Sequence, residues 1–109
     1  MVLIQADALQ LPFEPNVFGT LISLNLLHCL EDVKTALMEM KRVLTPNGTA
    51  ALTTLVVSAT RWSDRYLNRL AASGLLVPRS VDNLLSVFNN LGMPIKLQIK
   101  GNLAFINFN

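Results

Sequence analysis

The sequence predicts a mixed α/β domain, and three observations carry that prediction. Two apolar runs at 18–24 and 50–57 flank a helical stripe, which is the order strand–helix–strand. Ile95, Leu97 and Ile99 alternate with Lys96, Gln98 and Lys100, Gly101-Asn102 supplies a two-residue turn and Leu103 to Phe108 returns, the pattern of a hairpin. The chain has 109 residues, of which 51% are hydrophobic, so there is enough apolar material for one packed core. Only 15% are charged, against roughly 25% in an ordinary globular domain. The chain is too apolar for its length, as a member of an oligomer or a piece of a larger body would be.

The elements follow in order. Residues 2–6 (Val-Leu-Ile-Gln-Ala) form a short apolar run expected to be a buried strand. Asp7-Ala8 opens a loop in which Pro12 and Pro15 exclude regular structure. The near-continuous apolar run from Phe18 to Leu24 fits a parallel strand covered on both faces. Asp32 is the expected N-cap of a helix whose apolar stripe is Val33, Ala36, Leu37, Met40, Val43 and Leu44. Lys41 and Arg42 sit in its last turn, where the helix dipole favours cations. Thr45-Pro46-Asn47-Gly48 is expected to stop it, with Gly48 free to take a positive φ. Ala50 to Val57 is then a second buried strand, and a crossover this long implies parallel pairing with a right-handed connection. A helix is expected over 60–73, closed by Gly74. Another is capped by Ser80, with Val81, Leu84, Leu85, Phe88 and Leu91 on its buried face. The hairpin of 95–100 and 103–108 closes a single domain over 1–109.

Several functions are excluded at this level. A net charge of +2 is too small to argue for nucleic acid. The longest apolar-dominated stretch, 21–30, falls short of a bilayer span and carries Ser23, Asn25 and His28. One His and one Cys cannot supply the ligands of a metal site. A lone Cys29 and an N-terminus without signal-peptide character point to a cytoplasmic protein.

Five short motifs stand in a recognisable order: Ala6-Asp7-Ala8; Leu11-Pro12-Phe13; a strand ending near Leu27-His28; Asp32; and Arg42-Val43-Leu44-Thr45-Pro46-Asn47-Gly48. In that order and spacing they resemble the class I S-adenosylmethionine-dependent methyltransferases, most of all the ubiquinone/menaquinone-biosynthesis type of small-molecule methyltransferase. By motif the resemblance covers residues 2–57; beyond that it is architectural. It implies a Rossmann-like sheet of which this chain holds the parallel βαβ unit and the C-terminal antiparallel hairpin. The family's first two strands, its glycine-rich loop and the acidic residue that holds the ribose would lie before Met1. The chain is therefore expected to be the C-terminal portion of a methyltransferase domain. None of the five glycines forms the closely spaced glycine run that lets backbone N–H groups approach a cofactor. Within the matched part, Gly19 stands where the family usually has Asp, Leu24 where a small residue is common, and Asn47 in place of the first Gly of Pro-Gly-Gly.

The resemblance also implies a site. Asp7 would accept a hydrogen bond from the adenine amino group of S-adenosylmethionine, and Ala8 would donate its N–H to a ring nitrogen. Leu24 and Asn25 would line the methionine portion of that cofactor. His28 would face the substrate, as a weak candidate for general base. The stretch 58–79 would be a variable helical insert acting as a lid, with Trp62 and Tyr66 on the substrate side. Each has a plainer structural reading: Asp7 as a turn-starting acceptor, His28 as a satisfied core residue, Cys29 as a small buried hydrophobe. Likewise, Arg61, Arg65 and Arg69 read as a solvated row beside the Trp62, Tyr66 and Leu70 stripe. The implied activity is methyl transfer to a small or lipid-like acceptor. The competing expectation is a non-catalytic domain that pairs through an open sheet edge, as a homodimer or a larger self-association.

Overall fold

The computed structural model of the chain describes residues 2–57, 69, 72, 74, 77 and 79–109. Strand β1 (Phe18–Leu24) leads through a 3-10 turn (Leu27–Cys29) into helix α1 (Val33–Val43), followed by strand β2 (Leu44–Leu55). After the intervening segment come helix α2 (Val81–Asn90), strand β3 (Ile95–Lys100) and strand β4 (Leu103–Phe108). The four strands form one sheet in the order β1-β2-β4-β3. β1 and β2 run parallel, while β2–β4 and β3–β4 are antiparallel. This is the expected βαβ unit closed by a hairpin. The helix expected over 60–73 falls mostly outside the described residues. Among those residues, no helix is long and apolar enough to cross a membrane.

Local chemistry sets the ends of these elements. Asp32 caps α1 by accepting the Thr35 N–H at 3.0 Å, and Ser80 caps α2 by accepting the Asn83 N–H at 3.1 Å. Gly101 takes φ 61°. A positive φ at the first turn residue alone is the type II′ pattern that matches strand twist in a two-residue hairpin.

Alternation decides the layers. Ala50, Leu52 and Thr54 of β2, with Ala104, Ile106 and Phe108 of β4, point to one face and are buried there. Leu37 and Met40 of α1 and Leu84 and Phe88 of α2 join the same cluster. Phe88 is fully buried, with its ring 6.1 Å from that of Phe108.

Four local expectations change. No strand forms over 2–6: these residues have no ladder partner and lie exposed, Val2 by 83% and Leu3 by 87%. β2 begins at Leu44, directly after α1, and Thr45–Gly48 bulge within it. The register steps from Phe18↔Leu44 to Thr20↔Thr49 across that bulge. Gly48 is not among the positive-φ glycines. A Cβ there would meet the Thr45 and Phe18 carbonyl oxygens at 3.0 and 3.1 Å, so close approach is what requires glycine. Finally, β1 is covered on one face only, since Ile22 and Leu24 on the other are 68% and 69% exposed.

Replacing Phe88 by Ala should cost about 3–5 kcal/mol, because the cavity opens at the junction of α2 and β4. Chemical denaturation of the two proteins measures it, and a loss below about 1 kcal/mol would contradict the core assignment.

Candidate functional site

In open parallel sheets, ligands bind beyond the carboxyl ends of the strands. Here that end is formed by the last residues of β1 and β2. Asn25, the first residue beyond β1, takes φ 56°, a left-handed conformation uncommon for any side chain except Asn, Asp and Gly. It is held there from β2. Its N–H donates to the Thr53 carbonyl at 2.9 Å and to Thr53 Oγ1 at 3.1 Å. Thr53 Oγ1 in turn lies 3.4 Å from Asn25 Oδ1. The chain is therefore turned out of the sheet at one fixed point, with Leu24 and Asn25 exposed beside it.

The 3-10 turn then drives Leu27 and His28 into the interior. His28 Nδ1 accepts the Leu55 N–H at 3.2 Å, and Thr54 Oγ1 lies 3.3 Å away. An Nδ1 that accepts from a backbone amide carries no proton, so the ring proton is on Nε2. Burial pushes the His28 pKa below its ordinary 6.5. The ring is thus a neutral strut between the turn and β2. In this tautomer its other nitrogen donates.

The rest of the loop is held by backbone bonds. The His28 carbonyl accepts the Val77 N–H at 2.7 Å, and Val57 N–H donates to the Arg79 carbonyl at 2.9 Å. The Arg79 guanidinium donates to the carbonyls of Leu27 (3.0 Å), Leu30 and Glu31 (2.9 Å).

Asp7 and Ala8 stand on a separate turn. Asp7 Oδ1 accepts the Leu9 N–H at 2.9 Å, and its carbonyl accepts the Gln10 N–H at 3.0 Å. The turn-starting reading of Asp7 is realised, and Oδ1 is engaged in it. The following Leu11-Pro12-Phe13 is clamped to α1. Arg42 donates to the carbonyls of Phe13 (2.7 Å) and Leu11 (3.0 Å), while Glu39 accepts the Leu11 N–H at 2.8 Å. Glu39 and Arg42 also pair with each other at 2.7 Å. The Arg42 hydrogen bond, then the Leu11 N–H, hold the Glu39 carboxyl at about 2.

Sequence reasoning thus located the loop after β1 but missed what fixes it. Thr53 and Thr54 looked like ordinary strand residues, and nothing local marked Arg79. Glu39 and Arg42 did carry a signal, the three-residue spacing of an ion pair on one helix face. Cys29 is exposed rather than buried. Its thiol lies 3.8 Å from the Asn25 carbonyl. Trp62, Tyr66, Arg61 and Arg65, and with them most of the proposed lid at 58–79, lie outside the described residues.

Two grooves among the described residues lie elsewhere. One of about 590 Å³ lies at the opposite end of the sheet, against Thr20, Ala50, Ile95 and Phe108. Another of about 270 Å³ lies between Leu11, Phe13, Phe18 and Val43. The Asp7–Ala8 turn and the Leu24–Asn25 strand end both reach the surface.

The fold is part of the Rossmann-like methyltransferase fold. Residues 1–52 match the family model described as a methyltransferase domain. A solved S-adenosylmethionine-dependent methyltransferase from Thermotoga maritima superposes with a TM-score of 0.74 at 14% identity. That match covers 96% of this chain and 62% of that one. A phosphoethanolamine N-methyltransferase from Haemonchus contortus, solved with S-adenosylhomocysteine, gives 0.70 at 19% identity over 84% of this chain and 22% of its own. The cyclase SpnF gives 0.64 at 26% identity over 85% and 32%. The chain therefore spans less than two thirds of each of these proteins.

Two predictions follow from these contacts. A histidine held neutral stabilises the fold fully above pH 6.5, and that contribution is lost as pH falls below its ordinary value toward its lowered one. Thermal melts should therefore drop between pH 7.5 and 5.5 (about the range a histidine governs). His28→Asn, which accepts at the same place without titrating, should flatten that drop. Arg42→Met should release Leu11–Phe13, raising amide exchange at Leu11 by about tenfold or more while the amides of α1 stay protected. Unchanged exchange at Leu11 would show that the clamp does not hold the loop.

Proposed function

We propose that this chain is the C-terminal portion of an S-adenosylmethionine-dependent methyltransferase acting on a small or lipid-like acceptor, of the ubiquinone/menaquinone-biosynthesis type. The observation that carries the reading is the coincidence of motif and geometry. The segment that matches the methyltransferase-domain model, 1–52, contains both the Asp7–Ala8 turn and the strand end at Leu24–Asn25. In this reading the free Oδ2 of Asp7 takes the adenine amino group and the Ala8 N–H a ring nitrogen. Backbone at Leu24 and Asn25 lines the methionine portion. His28 holds the loop rather than moving a proton, and Trp62 and Tyr66 contribute to the acceptor side.

The cofactor, when bound, supplies an already activated methyl group on a sulfonium. The protein's task is alignment and exclusion of water. The strand with a glycine-rich turn and the ribose-binding acid come from elsewhere in the whole protein. The second reading, a non-catalytic domain, draws support from the bare edge of β1.

Titration with S-adenosylhomocysteine, followed by amide NMR, separates the two. The expected result is weak, millimolar binding with shifts confined to Asp7–Leu9 and Leu24–Leu27, and loss of the first group in Asp7→Ala. Shifts scattered elsewhere, or none at saturating ligand, would remove the cofactor reading.

A further inference from the structure

One hydroxyl near the end of β2 has both of its hydrogen-bonding functions engaged by a single residue at the exit of β1. Thr53 lies opposite Leu24 in the parallel ladder. Its neighbours Leu52 and Thr54 are buried on the helix-covered face, so by alternation the Thr53 side chain stands on the other face. There Oγ1 accepts the Asn25 N–H at 3.1 Å, which leaves the hydroxyl proton to donate. Asn25 Oδ1 lies 3.4 Å away to accept it. The same N–H is shared with the Thr53 carbonyl at 2.9 Å. These contacts hold Asn25 at φ 56°, a conformation that most side chains avoid and Asn tolerates.

The same contacts decide which way the Asn25 amide faces. A hydroxyl proton is taken by the oxygen of an amide and not by its nitrogen, so Oδ1 is turned to Thr53 and Nδ2 points the other way. Nδ2 has no hydrogen-bond partner among the described residues, and Asn25 is exposed. The side chain therefore presents N–H donors to the space beyond the strand end, while its acceptor is already occupied. β2 carries no charged residue, so what this corner offers an anion is a neutral, fixed donor. A negatively charged oxygen is the ligand chemistry that such a donor takes.

We propose that Asn25 Nδ2 donates to the carboxylate of the cofactor's methionine portion, and that Thr53 is the positioning residue that keeps the amide turned to do so. The assignment rests on the S-adenosylmethionine reading of this strand end and adds a side-chain donor where that reading has backbone alone. Thr53 acts through Asn25 rather than on the ligand. The last torsion of an Asn side chain is broad and two-fold. Without the Thr53 hydroxyl the amide turns freely, offers oxygen as readily as nitrogen, and loses its preference for an anion.

Two ligands that differ in this one group test the assignment: S-adenosylmethionine and its decarboxylated form, each titrated into the full chain and followed by amide NMR. S-adenosylmethionine should bind at least about tenfold more tightly, as a hydrogen bond to a charged group provides. Asn25→Gly, which takes a positive φ without strain but lacks the donor, should bring the two affinities together. Thr53→Val should do the same, and Thr53→Ser, which keeps the hydroxyl, should restore the difference. In the free proteins, the Asn25 side-chain NH2 signals should move in Thr53→Val and return in Thr53→Ser, while the amides of Leu52 and Thr54 stay protected. Equal affinities in the unaltered chain, or a preference that survives Asn25→Gly, would overturn the carboxylate assignment and leave the cofactor reading standing. A preference lost in Asn25→Gly but kept in Thr53→Val would overturn the role of Thr53. Binding of neither ligand, with the Asn25 NH2 signals still governed by Thr53, would remove the cofactor reading and the carboxylate assignment with it.

Discussion

The parallel pairing of β1 with β2 is the constraint from which the other features follow. Two strands running the same way cannot be joined by a tight turn, so the chain must cross over, and α1 fills that crossover. The pairing sets the carboxyl ends of both strands side by side, which lets Thr53 reach Asn25 and Thr54 reach His28. Among the described residues, α1 and α2 pack into one cluster that covers one face of the sheet. The candidate site and the free edge are thus two consequences of the same arrangement.

Two arginines do similar work at different places in this framework. Arg42 fastens the loop that enters β1, and Arg79 fastens the loop that leaves it. Each satisfies backbone carbonyls that no strand or helix can use, and such groups are costly if buried alone. A guanidinium suits the task because its fork presents several donors at once, which a lysine cannot do. Arg42 adds an acid partner in Glu39, whose stabilising share is complete above its ordinary value of 4.5 and lost only as pH falls through about 2. His28 fails much earlier, below pH 6.5. As the solution turns acid, the exit loop of β1 loosens well before the entry loop does.

Periodicity and caps made most of the fold legible in the sequence. Asp32 and Ser80 cap as expected, the α1 stripe is buried, and Gly101-Asn102 makes its turn, since each is local chemistry. The expected strand at 2–6 fails because a strand is a property of a pair, and apolar character alone does not supply a partner. Pro46-Asn47-Gly48 could not be seen to bulge inside β2, because the bulge depends on where Phe18 lies across the ladder. The site was legible only as a place. Asn25 and His28 were found through motif order, yet the residues that hold them, Thr53, Thr54 and Arg79, are distant in sequence and unmarked in composition.

The apolar excess of the composition is explained by where it is spent. The core takes Leu52, Phe88, Ile106 and their neighbours, and what remains is concentrated rather than scattered. Val2, Leu3 and Ile4 are exposed, and Ile22 and Leu24 line the one uncharged edge. A monomer under selection to stay apart would place a lysine on β1 as it does on β3, at little cost to stability because the site is already in water. Leaving β1 uncharged while β3 carries two lysines is therefore coherent only if something regularly covers β1.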